Sequence, residues 1–147
     1  MNIYLSVNNR KQLMKLPILP EEINVKTSRK NETFTTIHFG ELLLLGEAGL
    51  KELELEAFFP KSPKSYSFAR EKKRKGWDCV KLIESWAEKE QPVRVTVTGT
   101  NINMLMGIES FEYGVQDGTG DIYYTLNLTE YKKVKLKTVK KKKKRKK

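Results

Sequence analysis

"PVRVTVTGTNINMLMGIESFEYG" (residues 92–114), followed closely by "GTGDIYYTLNLTEY" (residues 118–131), decides the fold class. Val93, Val95 and Val97 alternate with Arg94, Thr96 and Thr98, the period-2 pattern of a strand with one buried face. Ile102, Met104, Met106 and Ile108 keep that alternation, and Phe111, Tyr113 and Val115 continue it one residue out of phase. A β-bulge near Glu109 and Ser110 returns both halves to one face. The glycine-rich stretch "GVQDGTGD" then turns the chain, and Ile122, Tyr124, Leu126 and Leu128 line one side of the returning strand. The C-terminal half therefore reads as a strand followed by a long hairpin.

Just upstream, the period changes. Cys79, Val80, Leu82, Ile83, Trp86 and Ala87 fall on one side of a 100°-per-residue wheel, and Asp78, Lys81, Glu84, Ser85, Glu88 and Lys89 on the other. This predicts one amphipathic helix over about 77–90, with Pro92 just beyond its end.

The N-terminal half is also strand-like. Residues 2–7 read as an opening strand ended by the turn-tolerant pair Asn8 and Asn9. Pro17 and Pro20 hold "KLPILPEEINVKT" extended until Ile23 and Val25 begin a strand. Thr33 to Phe39, with His38 inside it, reads as another strand stopping at Gly40. "LKELELEAFFP" is contested: its residue types favour a helix, but Leu53, Leu55 and Ala57 alternate strictly with Glu52, Glu54 and Glu56. The alternation and the stop at Pro60 favour a strand. Residues 61–75, "KSPKSYSFAREKKRK", show little periodicity and read as a long loop, of a length that is functional or mobile rather than idle. The expected architecture is α+β, mostly β, in one domain over 1–131.

Charge is distributed unevenly. The formal net charge is +11, yet from Lys132 onward there are 12 basic and no acidic residues, which leaves 17 basic against 18 acidic side chains in the body. The last eight residues are all lysine or arginine, so 132–147 is expected to be a basic, disordered tail, preceded at most by a few residues of strand continuation. The single cysteine, Cys79, excludes an internal disulfide and suits a reducing compartment. The start has no signal-peptide pattern, and the longest aliphatic run, Leu42 to Leu45, is far short of a membrane span, so a soluble chain with no membrane partner is expected.

Catalytic chemistry finds few candidates. His38 is the lone histidine and Cys79 lies on the apolar side of the helix, so both read as structural, and a zinc site from this chain is not expected. "DGTGD" (117–121) lacks the alternating carboxylates of a calcium loop and reads as a hairpin turn. No phosphate-binding or dinucleotide-binding fingerprint occurs. The expectation is a protein that is not an enzyme and needs no cofactor. In and around the 61–75 loop, Phe58, Phe59, Tyr66 and Phe68 interleave with Lys61, Lys64, Arg70, Lys72, Lys73, Arg74 and Lys75, a pattern able to track phosphates and stack on bases. A protein-contact loop fits the same residues.

Several phrases occur in an order that goes beyond composition: "YLSVNNRKQLMKLPILPEEINV", Gly40-Glu41, Phe58-Phe59-Pro60, the helix with Trp86, "PVRVTVTGTNIN", "IESFEYG" and "GTGDIYYTLNLTEY". Over residues 2–131 this order resembles the LysM-bearing baseplate hub and adaptor proteins of contractile phage tails and tailocins, of the PBSX-prophage type. The resemblance implies a tail-tube-like β-barrel or sandwich and a structural role in a tail baseplate, in the particle assembled in a bacterial cytoplasm. It implies tail-tube or hub partners, sheath or baseplate-wedge partners, and a ring-like multimer. Relatives commonly continue into a LysM module; here only sixteen residues follow Tyr131, so peptidoglycan binding is not expected. Candidate partner contacts are Leu16, Pro17, Ile18, Leu19, Pro20, Glu21 and Glu22, read as an extended arm, and Lys72, Lys73, Arg74 and Lys75 in the basic loop. Core packing of Leu16, Ile18 and Leu19 fits the same pattern. A nucleic-acid-binding module using the loop and the tail is the alternative reading.

Overall fold

The computed structural model describes residues 1–116 and 118–132. The expected tail, apart from Lys132, and any strand continuation beyond Lys132 lie outside the described residues, as does Asp117 of the glycine-rich turn.

Among the described residues, ten elements follow in chain order: β1 (Ile3–Val7), β2 (Gln12–Lys15), β3 (Asn24–Lys26), β4 (Glu32–Thr36), β5 (Gly40–Leu44), β6 (Glu52–Phe59), α1 (Gly76–Glu88), β7 (Val93–Val97), β8 (Asn103–Val115) and β9 (Ile122–Glu130). A single 3-10 turn, Pro63–Ser65, interrupts the loop after β6. Seven strands form one antiparallel sheet in the order β2-β1-β7-β8-β9-β6-β3, and β4 and β5 form a separate two-stranded ribbon. With β2 and β3 as the two edges, the hydrogen-bonded ladder does not close on itself among the described residues. The fold is α+β and mostly β, as the sequence predicts.

Alternation decides the sheet. In β6, Leu53 and Leu55 are buried while Glu52, Glu54 and Glu56 are exposed, so the period-2 pattern overrides helix propensity. β8 and β9 pair along most of their length, and the register slips between Ile108 and Ser110, where the phase change calls for a bulge. Val93, Val95, Val97, Leu126 and Leu128 all face a single core cluster. α1 covers that face with Cys79, Val80, Ile83 and Trp86; Ala87, expected on the apolar side, is exposed at the helix end. The Trp86 indole Nε1–H donates to Gln12 Oε1 at 2.8 Å, which ties α1 to the β2 edge.

Two strands go beyond the sequence reading. β2 pairs with β1 through a turn in which Asn8, Asn9 and Arg10 have φ of 52°, 56° and 69°; asparagine tolerates this left-handed region better than most residues. The strand expected over 33–39 ends at Thr36. There the Thr36 hydroxyl accepts from the Phe39 N–H at 3.0 Å and donates to the Gly40 carbonyl at 3.3 Å, and Gly40 has φ of +72°. Gly40 therefore starts the return strand β5 rather than stopping the chain, and His38 sits in an exposed turn rather than inside a strand.

Candidate interaction surfaces

Among the described residues, no group of three or more His, Cys, Asp or Glu side chains is placed to hold a metal ion. Cys79 is fully buried, and burial pushes its thiol from the ordinary 9.0 up to about 12, with Arg74 pulling weakly the other way. A thiol held neutral in the core is a poor nucleophile. Burial likewise raises the Tyr124 hydroxyl, whose ring stacks on Phe59 with centroids 4.2 Å apart.

The proposed arm, 16–22, is split by burial. Leu16, Pro17, Ile18 and Pro20 are buried in the chain's own body, Leu19 is half-buried, and Glu21 and Glu22 are exposed. The Leu16 N–H donates to the Ile3 carbonyl at 2.9 Å and the Arg70 N–H to the Pro17 carbonyl at 2.6 Å, so neighbours on both sides hold the segment. Core packing accounts for its apolar residues, and only the two glutamates and part of Leu19 face outward.

The loop 61–75 is pinned at several points. Asp121, buried at the end of the glycine-rich turn, accepts the Lys61 N–H at 2.9 Å and the Tyr66 hydroxyl. Pro63 and Ala69 are buried, and the Arg74 guanidinium donates to the Leu13 carbonyl at 3.1 Å. Arg74 is thus partly spent on structure. Lys61, Lys64, Arg70, Lys72, Lys73 and Lys75 remain exposed. The aromatics expected to stack on bases pack on one another instead: Phe58 meets Tyr66 at 5.6 Å and Tyr123 at 5.5 Å, and Tyr66 meets Phe68 edge-on at 5.3 Å. Of these four rings, Phe68 alone is exposed.

Two further surfaces escaped the sequence reading. On the solvent side of the sheet, register places Glu54 beside Asn127 and Ser110, and Glu56 beside Thr125 and Glu112. The exposed glutamates of β6 and β8 therefore form an acidic face; the signal was the polar half of the alternation used to find β6. The other surface is the β4–β5 ribbon. Phe34, Leu42 and Leu44 share one of its faces by register, and Ile37 and Phe39 flank His38 at the tip. Ile37 is 97% exposed, Phe39 77% and Leu45 73%. The aliphatic run that argues against a membrane span is a surface feature of this ribbon.

The ribbon stands on a defined stalk. The Arg29 guanidinium donates to the Gly46 carbonyl at 2.6 Å, the Gly46 N–H to Asn31 Oδ1 at 2.8 Å, and the Lys30 N–H to the Glu47 carbonyl at 2.8 Å. Gly46 is required there, since a Cβ would come within 1.7 Å of the Lys30 carbonyl oxygen.

The uncharacterized protein YqbP of Bacillus subtilis (strain 168) is 34% identical over 146 residues; the match takes in 96% of this chain, which spans 64% of the length of that relative. A chain in the tail of an empty gene transfer agent particle, solved with C6 symmetry, aligns with a TM-score of 0.57 at 13% identity over 92% of this chain and 93% of its own. A chain of the native gene transfer agent virion aligns with a TM-score of 0.55 at 12% identity over 89% and 92%. These two likenesses speak for the fold alone. A family model described as Dit-like phage tail protein matches residues 46–142, well over half of the chain. The chain accordingly belongs to the Dit-like phage tail protein family, and its place is the tail of a phage or phage-like particle.

Proposed function

We propose that the protein is a non-enzymatic adaptor in the baseplate region of a contractile tail, linking the tail tube or hub to surrounding sheath or wedge proteins as a ring-like multimer. Residues 1–131 are the assembling domain, and 132–147 an electrostatic appendage able to dock on an acidic neighbour. The observation that carries this reading is the division of the exposed surface into an apolar ribbon, an acidic sheet face and a basic loop around one packed core. Surfaces of different chemistry on one rigid body suit several neighbours at once, and repetition around a ring multiplies modest contacts. The likeness to LysM-bearing baseplate proteins supports the assignment to the baseplate rather than the tube shaft.

Mass spectrometry and side-chain-resolution imaging of purified particles test it. The expected result is the protein in a ring at the tube–baseplate junction, with particles failing to assemble when it is deleted. Normal particles without it would overturn the reading.

A second reading, nucleic-acid binding, is favoured by the exposed lysines of the 61–75 loop. Phosphate contacts would make affinity fall steeply with salt, and removing 132–147 would flatten that slope. Abolition of all binding by that truncation would exclude a nucleic-acid site on the folded body.

A further inference from the structure

The β4–β5 ribbon exposes several large apolar side chains. An isolated two-stranded ribbon is marginally stable in water, and one carrying a run of exposed leucines and phenylalanine is an association hazard unless something covers it. Its hydrogen-bonded stalk and glycine-built tip make it a formed arm rather than a frayed loop.

The opposite end of the same molecule offers an acceptor. β6 begins beside the ribbon's stalk at Glu52 and ends at Phe59, about 25 Å away at the rise of a strand. At that far end three apolar side chains are left open: Phe68 is 61% exposed, Val115 52% and Trp77 45%. They belong to one end of the strands: Val115 and Phe59 both pair with Ile122, the backbone at Gly76, next to Trp77, lies against the Pro60 carbonyl, and Phe68 packs on Tyr66, which packs on Phe58. Charge matches as well. Residues 32–47 contain Glu32, Glu41 and Glu47 and no lysine or arginine, whereas 61–75 carry seven basic residues against Glu71. An apolar, acidic arm and an apolar, basic seat lie at opposite ends of one chain.

We propose that the β4–β5 ribbon of one copy docks on the Phe68, Trp77 and Val115 end of the next copy, with the ribbon's glutamates against Lys72 and Lys73 of the loop. Because arm and seat are different surfaces, the contact is head-to-tail, and it generates a ring or a stack according to whether the rotation closes. The inference rests on the multimer part of the proposed function and names the surfaces that would build it.

The test uses the full chain. Ile37→Cys combined with Phe68→Cys, treated with a short bis-maleimide at the highest soluble concentration, is expected to give a ladder of linked copies, with neither single variant doing so. In sedimentation, Lys72→Glu with Lys73→Glu is expected to weaken association by about tenfold or more, and adding Glu41→Lys with Glu47→Lys is expected to restore it. Circular dichroism confirms that each variant is folded. Dimers from Ile37→Cys alone would mean a two-fold ribbon–ribbon contact and overturn the proposal. So would an unlinked monomer in every sample, or charge-reversed variants that associate as before. A particle that lacks the protein while the ladder forms would sink the proposed function and leave this contact standing.

Discussion

The Tyr66 hydroxyl donates to Asp121 Oδ2, joining the long basic loop to the start of β9 across 55 positions of sequence. The other carboxylate oxygen accepts the Lys61 N–H at 2.9 Å, so one buried side chain holds the loop at two points. Replacing it by alanine removes the acceptor of both bonds in a part-buried setting. Asp121→Ala is therefore expected to cost about 1–3 kcal/mol in a urea titration. Amide exchange is expected to accelerate across residues 61–70 while β8 stays protected. Unchanged exchange in the loop would show that Pro63 and Ala69 hold it without the carboxylate.

Tyr124 presents the opposite case. Its ring is buried against Phe59, but its hydroxyl has no hydrogen-bond partner among the described residues. Burying such a group without compensation opposes folding, and phenylalanine keeps the ring while removing the oxygen. Tyr124→Phe is expected to raise stability by about 1 kcal/mol, read as a higher denaturation midpoint at unchanged slope. A loss of stability would reveal a partner for the hydroxyl.

How much of this was legible in sequence depended on whether the deciding partner was local. β6 and the β8 bulge were readable because alternation and its phase are carried by the strand itself. β2 was not, because in "QLMK" only Met14 is buried and an edge strand so short has no period to show. β5 was hidden by Leu42 to Leu45, where apolar residues occupy both faces of a ribbon that turns neither toward the core. The 16–22 segment read equally well as arm or core, since its prolines set an extended path either way. What separates the two is the distant bond from Arg70 to Pro17. The acidic face was present as the glutamates of "ELELE", but its depth across three strands depends on registers that local pattern does not specify.

The Cys79 thiol gives a pH dependence with a definite sign. Burial raises its pKa from 9.0 to about 12 in the folded chain, so between those values the unfolded chain loses a proton that the folded chain keeps. The unfolded state then binds fewer protons, and stability falls as pH rises. Below pH 9 the contribution is fully present; it declines from there toward pH 12. Unfolding measured across that window is expected to fall more steeply in the wild type than in Cys79→Ala, the difference isolating this group from other titrating side chains. Native protein at pH 8 is also expected to resist thiol reagents that label it readily in urea. Rapid labelling without denaturant would contradict the burial.

Gly76 opens α1 and sets a final prediction in which two effects compete. Alanine is the better helix former, by up to about 1 kcal/mol in a helix interior, and the first position of a helix gains less than that. Against this, a Cβ at Gly76 would stand 2.7 Å from the Pro60 carbonyl oxygen, 2.9 Å from Ile122 Cδ1 and 3.0 Å from the Phe59 carbonyl oxygen. Two of those neighbours are backbone at the end of β6, which cannot yield as a side chain does. Overpacking of this kind costs about 1–3 kcal/mol, so the clash outweighs the propensity gain. Gly76→Ala is expected to destabilise the chain by about 1–2 kcal/mol in thermal and urea unfolding. Gly114→Ala serves as the control, since a Cβ there meets nothing within 4 Å. If Gly76→Ala proves neutral or stabilising, the helix start shifts without cost and the close approach of α1 to β6 is not what fixes its position.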